Sequence, residues 1–232
     1  MQLFYTPDII QSSILTEEES VHAVRVLRLK KGDEIFLTDG RGTFYQAIIV
    51  NPHPKHTELQ LVKSWTQEPL WNFYLHIAIA PTKNMDRMEW FTEKATEIGI
   101  DAITCLRCRY SERREIKMAR LEKIMISAMK QSQKASLPLL EEMMNFRDFV
   151  KQPFNGRKFI AHCEDGEKPI LKQLYHPGQN ALILIGPEGD FSTEEIEYAL
   201  QYNFEPVSLG ESRLRTETAA LVACQTVHVL NQ

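Results

Sequence analysis

The first 68 residues carry short apolar runs broken by turn signals. Glu34-Ile-Phe-Leu37, Phe44-Tyr-Gln-Ala-Ile-Ile-Val50 and Leu59-Gln-Leu-Val62 are separated by Lys31-Gly-Asp33, Asp39-Gly-Arg-Gly42 and Asn51-Pro-His-Pro54. That punctuation predicts strands. Ahead of them, Thr16 and Glu19 have the spacing of a capping box and predict one helix. A small β-barrel with one helix accommodates these elements, with a boundary near Gln67-Glu68-Pro69.

From Trp71 the pattern changes to strand and helix in alternation. Tyr74–Ala80 is a near-continuous apolar run, as buried parallel strands are. Met85, Met88, Phe91, Ala95 and Ile98 then recur at helical spacing before Gly99. Further strand-like runs fall at Ala102–Leu106, Lys158–His162, Ala181–Ile185 and Pro206–Leu209. Helical patterns fall at Lys117–Lys134, Ser192–Tyr202 and Thr216–Leu230, with Ser192 and Glu195 as a second capping box. The pattern predicts an α/β domain with a mainly parallel sheet over 72–232, after a β domain over 1–68.

Composition narrows the class without naming a function. With 43% hydrophobic and 25% charged residues the chain reads as globular. No apolar run approaches the ~20 residues of a membrane span. The opening MQLFYTPDII has no basic region followed by an apolar stretch, so a signal peptide is not expected and the cytoplasm is the default location. Cys105, Cys108, Cys163 and Cys224 are too scattered for a disulfide scaffold, and no metal-ligand spacing accompanies them; no metal is expected. The net charge of -4 hides a segregation, since Arg107 to Lys134 holds nine Lys/Arg and three Asp/Glu. Such a segment is either a polyanion-binding face or a solvated helix face.

Two loops stand at the carboxyl ends of predicted strands, where open α/β sheets bind ligands. The first is Gly186-Pro187-Glu188-Gly189, which by composition is a tight turn or a site of close backbone approach. It has no phosphate-binding fingerprint, which disfavours dinucleotide and nucleoside-triphosphate chemistry. The second is Leu209-Gly-Glu-Ser-Arg-Leu-Arg-Thr-Glu-Thr-Ala-Ala220, with Thr216 expected to cap the last helix. Arg213 and Arg215 would precede the positive end of that helix, so an anionic group should compensate them. Glu217 or a bound anion would serve.

Ile185-Gly-Pro-Glu-Gly-Asp-Phe-Ser192 together with Leu214-Arg-Thr-Glu-Thr-Ala219 resembles the RsmE family. Collinear matches also fall at Val26-Leu-Arg-Leu-Lys-Lys-Gly-Asp33, Asp39-Gly-Arg-Gly42, Glu93-Lys-Ala-Thr-Glu-Ile-Gly99 and Ala128-Met-Lys-Gln-Ser-Gln-Lys-Ala135. The resemblance implies a SPOUT-class, S-adenosylmethionine (SAM)-dependent methyltransferase acting on N3 of uridine 1498 in 16S rRNA of the assembled small subunit. It further implies a PUA-like barrel, a C-terminal trefoil knot and a homodimer. Cofactor contacts are then expected from Ala80, Pro81, Leu184, Ile185, Gly186, Pro187, Glu188, Gly189, Leu209, Gly210, Leu214 and Thr218. Arg215 is expected to stabilise charge on the uracil oxygens, and Glu217 to orient it or relay the proton. Glu188 is a candidate for holding its loop through backbone N–H groups. RNA contacts are expected from Arg25, Arg28, Lys30, Arg109, Arg113, Arg114, Lys130 and Lys134. Gln2, Asp190 and Arg213 depart from the family pattern, Asp190 standing where a third glycine is usual. A non-catalytic RNA-binding factor and a methyltransferase for another RNA are the competing readings.

Overall fold

A computed structural model describes residues 2–232. The chain divides into two compact units, one comprising the chain up to Leu70 with Ile126–Leu137, the other Trp71–Met125 with Pro138–Gln232.

The first unit contains β1 (Leu3–Tyr5), α1 (Ile9–Ser12), α2 (Glu17–Val21), β2 (Glu34–Thr38), β3 (Thr43–Asn51) and β4 (Glu58–Thr66). Its sheet runs β1-β2-β3-β4, with β1 parallel to β2 and the other pairs antiparallel. Alternation on β3 sends Tyr45, Ala47 and Ile49 into a core shared with Phe4, Leu37 and Leu59. Among the described residues no ladder joins β1 to β4. The chain before α2 lies along β4 instead, through Leu15 N to Thr57 O at 3.0 Å and Leu59 N to Ser13 O at 2.9 Å.

Thr16 caps α2, its hydroxyl accepting from Glu19 N at 3.3 Å. The helix then continues into a wider π-type turn, His22–Val26, closed by Leu27 N to His22 O at 3.0 Å. The carboxylate of Glu19 does not complete the reciprocal bond. It accepts from Tyr5 N at 3.0 Å and from Lys130 Nζ at 2.5 Å.

The returning segment Ile126–Leu137 is built into this unit by backbone pairing. Ala135 O accepts from Thr38 Oγ1 at 2.7 Å and from Gly42 N at 3.0 Å, while Ala135 N donates to Gln67 Oε1 at 2.8 Å. Ala135 is fully buried with Leu3 and Phe44. A contiguous boundary placed after residue 68 could not show that pairing.

The second unit contains β5 (Leu75–Ile79), α3 (Met85–Ile98), β6 (Ala102–Arg107), β7 (Leu139–Asn145), α5 (Phe146–Val150), β8 (Arg157–Ala161), α6 (Leu171–Leu174), β9 (Ala181–Ile185), α7 (Thr193–Gln201), β10 (Glu205–Val207) and α8 (Thr216–Leu230); α4 (Met118–Gln131) begins in it. The sheet order is β10-β8-β9-β5-β6-β7, parallel throughout. The central β5 and β9 are buried at every position, which accounts for their unbroken apolar runs. α8 starts one residue earlier than expected, for Arg215 is its N-cap and makes no side-chain cap bond. Arg215 O accepts from Ala219 N at 2.7 Å, which places Thr216 inside the first turn.

Candidate cofactor and RNA site

The order β8-β9-β5-β6 makes the loops at the carboxyl ends of those strands neighbours. Loop β9–α7 carries Gly186-Pro187-Glu188-Gly189-Asp190. A Cβ at Gly186 would stand 3.1 Å from Phe191 N, and one at Gly189 3.1 Å from the Tyr110 Cβ. The close approach that these glycines permit is therefore to the chain itself. Asp190 holds φ +67, the left-handed conformation that glycine adopts without strain. Its Oδ1 accepts from Phe191 N at 2.8 Å and its Oδ2 from Cys163 N at 2.6 Å. Glu188 Oε1 accepts from Lys83 N at 2.9 Å, reaching the β5–α3 loop. Ala80 N donates to Ile185 O at 2.9 Å, and Ala80 and Pro81 are buried.

A cavity of about 740 Å³ opens beside these loops. The β8–α6 loop lines it with His162, Cys163 and Glu164, the β9–α7 loop with Asp190 and Phe191, and the β10–α8 loop with residues 208–214. Of the expected cofactor contacts, Leu209, Gly210 and Leu214 line the cavity. Leu184 and Ile185 are buried in β9 beneath the loop, Gly186–Gly189 form the turn just described, and Thr218 lies in the first turn of α8. Gly210, at φ +129, sits where an L side chain would be strained. His162 and Cys163 are not among the expected cofactor contacts. The rule that ligands lie beyond the carboxyl ends of strands, applied to the predicted β8, points to them.

Burial lowers the His162 pKa, with Lys168 adding to the effect and Asp190 and Glu164 opposing it. The Cys163 thiol is pushed up by burial and then by the neighbouring Asp190 carboxylate. The thiol is therefore not prepared as a nucleophile at neutral pH.

Arg215 is exposed at the N-cap of α8. Glu217 faces the other way. Its side chain is 91% buried, Oε1 lies 3.8 Å from Arg87 Nε, and Oε2 has no hydrogen-bond partner. The expected partner of Arg215 is thus engaged with α3 instead.

The expected RNA contacts divide by environment. Arg25, Arg28 and Lys30 are exposed in the first unit. Lys130 is tied to Glu19, and Lys134 is only 8% exposed, so the outward face expected for both is corrected. Helical spacing points Lys134 outward, but α4 ends at Gln131 and the chain turns inward to Ala135. In the second unit Arg114 is exposed, and Arg109 pairs with Glu194 at 3.3 Å. Arg113 donates from Nε to Thr82 O at 3.1 Å and from a terminal nitrogen to Lys83 O at 2.6 Å.

An RNA methyltransferase PUA domain model matches residues 15–62, and an RNA methyltransferase domain model matches residues 69–228. The ribosomal RNA small subunit methyltransferase E of Rickettsia conorii is 31% identical over 219 residues, 93% of this chain and 89% of that protein. The chain belongs to the ribosomal RNA small subunit methyltransferase E family. The methyltransferase E fold extends over the full length. A probable rRNA-methyltransferase from Porphyromonas gingivalis superposes with a TM-score of 0.94 at 47% identity, covering 100% of this chain and 98% of its own. A ribosomal RNA small subunit methyltransferase E from Neisseria gonorrhoeae, bound to S-adenosyl methionine, superposes with a TM-score of 0.83 at 27% identity and the same coverage.

Proposed function

We propose that this methyltransferase E chain transfers a methyl group from SAM to N3 of a uridine in 16S rRNA of the assembled small subunit, position 1498 by resemblance. The observation that carries the reading is the family match over both units, with a SAM-bound relative superposing on the whole chain. The cavity suits a cofactor bearing sulfonium, ammonium and carboxylate charges, since Glu164, Asp165, Asp190 and Glu211 border it together with Lys168 and Arg213. Leu209, Gly210 and Leu214 would hold the cofactor from the β10–α8 side, with Ala80, Pro81, Leu184–Gly189 and Thr218 behind. When bound, the cofactor supplies an electrophilic methyl group.

The residues of the chain must position N3 in line with that methyl and remove the N3 proton. N3 lies on the pairing edge of uracil, so the base must be unpaired or flipped out. Arg215, exposed at the start of α8, would meet negative charge on O2 and O4 as the N3–H bond breaks. Glu217 would relay the proton; its Oε2 is buried without a hydrogen-bond partner and its Oε1 lies 3.8 Å from Arg87 Nε, so the carboxylate would have to be uncovered as the base docks. Arg25, Arg28, Lys30, Arg109 and Arg114 would supply phosphate contacts, which dominate affinity and carry its salt dependence.

The homodimer belongs to the same proposal. On α8, Val229 is 53% exposed and Leu221, Val222 and Leu230 are half-buried, an apolar face suited to a second copy. The trefoil knot at the C-terminus follows from the family alone. The cytoplasm, where small subunits are assembled, is the proposed location; among the described residues no helix is long and apolar enough to cross a membrane.

The test is methyl transfer from labelled SAM to small subunits lacking the modification, read by nucleoside mass spectrometry. N3-methyluridine at one site is expected, with Arg215→Ala lowering kcat by about 100-fold. Intact SAM binding without methylation of small subunits would redirect the reading to another RNA. Absence of both would favour the non-catalytic binding factor.

A further inference from the structure

The β9–α7 loop is tied to both of its neighbours by its own carboxylates. β9 lies between β5 and β8. On the β5 side Glu188 accepts the Lys83 N–H at 2.9 Å, and on the β8 side Asp190 accepts the Cys163 N–H at 2.6 Å. One strand further along, Arg113 of the β6–α4 loop donates to Thr82 O and Lys83 O. The backbone of Lys83 is thereby gripped from both sides, its N–H by a carboxylate and its carbonyl by a guanidinium. Three side chains thus link four consecutive loops in the order of the strands that carry them. Each bond joins a charged side chain to a backbone group, a stronger class than neutral pairs.

We propose that Glu188, Asp190 and Arg113 are positioning residues that hold these four loops in one arrangement, so that the cofactor meets walls already set. The proposal rests on the methyltransferase reading for the identity of that ligand. Two of the tied loops, β8–α6 and β9–α7, line the cavity through Cys163 and Asp190. A third carries Ala80 and Pro81 immediately before Thr82 and Lys83. Loops left free would have to be ordered on binding, and that cost would appear as weaker affinity rather than slower chemistry. Arg113 accordingly acts on the cofactor side. Two of its donors are committed to carbonyls, whereas the adjacent Arg114 is exposed. At Asp190 a glycine would keep the left-handed backbone but lack the strap to Cys163.

The full-length protein tests this with two readouts: amide hydrogen exchange at Lys83 and Cys163, and SAM binding by calorimetry with kcat at saturating SAM. Glu188→Ala should deprotect the Lys83 amide and weaken SAM binding about tenfold, the loss in SAM affinity exceeding any loss in kcat. Glu188→Gln, which keeps an acceptor oxygen, should restore most of both. Asp190→Gly suits the φ of +67 and should fold, yet deprotect the Cys163 amide. Arg113→Lys should weaken SAM binding and leave the salt slope of RNA binding as it was, whereas Arg114→Ala should flatten that slope. Unchanged amide exchange and SAM affinity in Glu188→Ala and Asp190→Gly would overturn the proposal. So would an Arg113→Lys effect confined to RNA. Wild-type protein that binds no SAM would sink the methyltransferase reading and the cofactor role together, while the exchange data would still judge the strap itself.

Discussion

At the scale of single residues, a polar row crosses three strands under the apolar surface of the second unit. His76 on β5 meets Thr104 on β6 with Nε2 to Oγ1 at 2.7 Å, and the Thr104 hydroxyl donates to Glu141 on β7. Because that hydroxyl spends its proton on Glu141, it accepts from the histidine. Burial lowers the His76 pKa to about 4, the nearby Glu141 opposing the shift. The folded state thus keeps His76 neutral while the unfolded chain binds a proton near the ordinary 6.5. Its contribution is complete above about pH 6.5 and is lost as the pH falls toward 4, by roughly 3 kcal/mol at most. Urea unfolding at pH 7.5, 6 and 5 should show this slope in the wild type and a shallower one in His76→Gln. Equal slopes would mean that other groups carry the acid sensitivity. Sequence could not reveal the row, because alternation places His76 on a face without saying what shares it. Asp190 was legible only as a departure from pattern, and its φ of +67 supplies the reason a glycine is customary there.

Among the elements, those with strong local signals were legible. α3 runs Met85–Ile98 and stops at Gly99, as the apolar spacing indicated. Ser192 and Glu195 form both bonds of the expected capping box, Glu195 N to Ser192 Oγ at 3.3 Å and Ser192 N to Glu195 Oε2 at 3.0 Å. Glu195 also accepts from Arg109 N at 2.9 Å, so this cap fixes the β6–α4 loop as well. Ser192→Ala should cost about 1 kcal/mol and lower Tm by about 2–4 °C. A melting curve unchanged from wild type would assign the cap no stabilising share. β7 and α5 were not anticipated. Leu139-Leu-Glu-Glu-Met-Met-Asn145 lacks two-residue alternation, and as an edge strand it is half exposed, so burial left no clear imprint on it. The end of α4 was misjudged for a related reason. Lys134 continues the basic pattern past Gln131, but Gln133 turns to φ +54 and Ala135 pairs with Thr38 and Gly42, so the chain has left the helix.

For the molecule as a whole, the parallel character of the larger sheet was readable from the change in pattern near residue 70. The chemistry came from the two loops that the resemblance singled out. What local pattern could not carry was long-range placement, such as Glu217 against Arg87 or Ala135 within the first unit. The latter yields a prediction about excision. A fragment of residues 1–70 lacks Ala135, which leaves Thr38 Oγ1 without its acceptor and Leu3 and Phe44 uncovered. It should give poorly dispersed amide resonances and no cooperative melt, and a sharp melt equal to that of the whole protein would refute this.

The same return of the chain sets an order of events during synthesis. The first unit leaves the ribosome early, but its last covering residue is encoded only after β5, α3 and β6 of the second. Its sheet must therefore wait, on the order of several seconds of elongation, with Leu3 and Phe44 exposed. Completion of the first unit's sheet is thereby timed by translation of the second unit, so a chain truncated before residue 126 yields neither part in finished form.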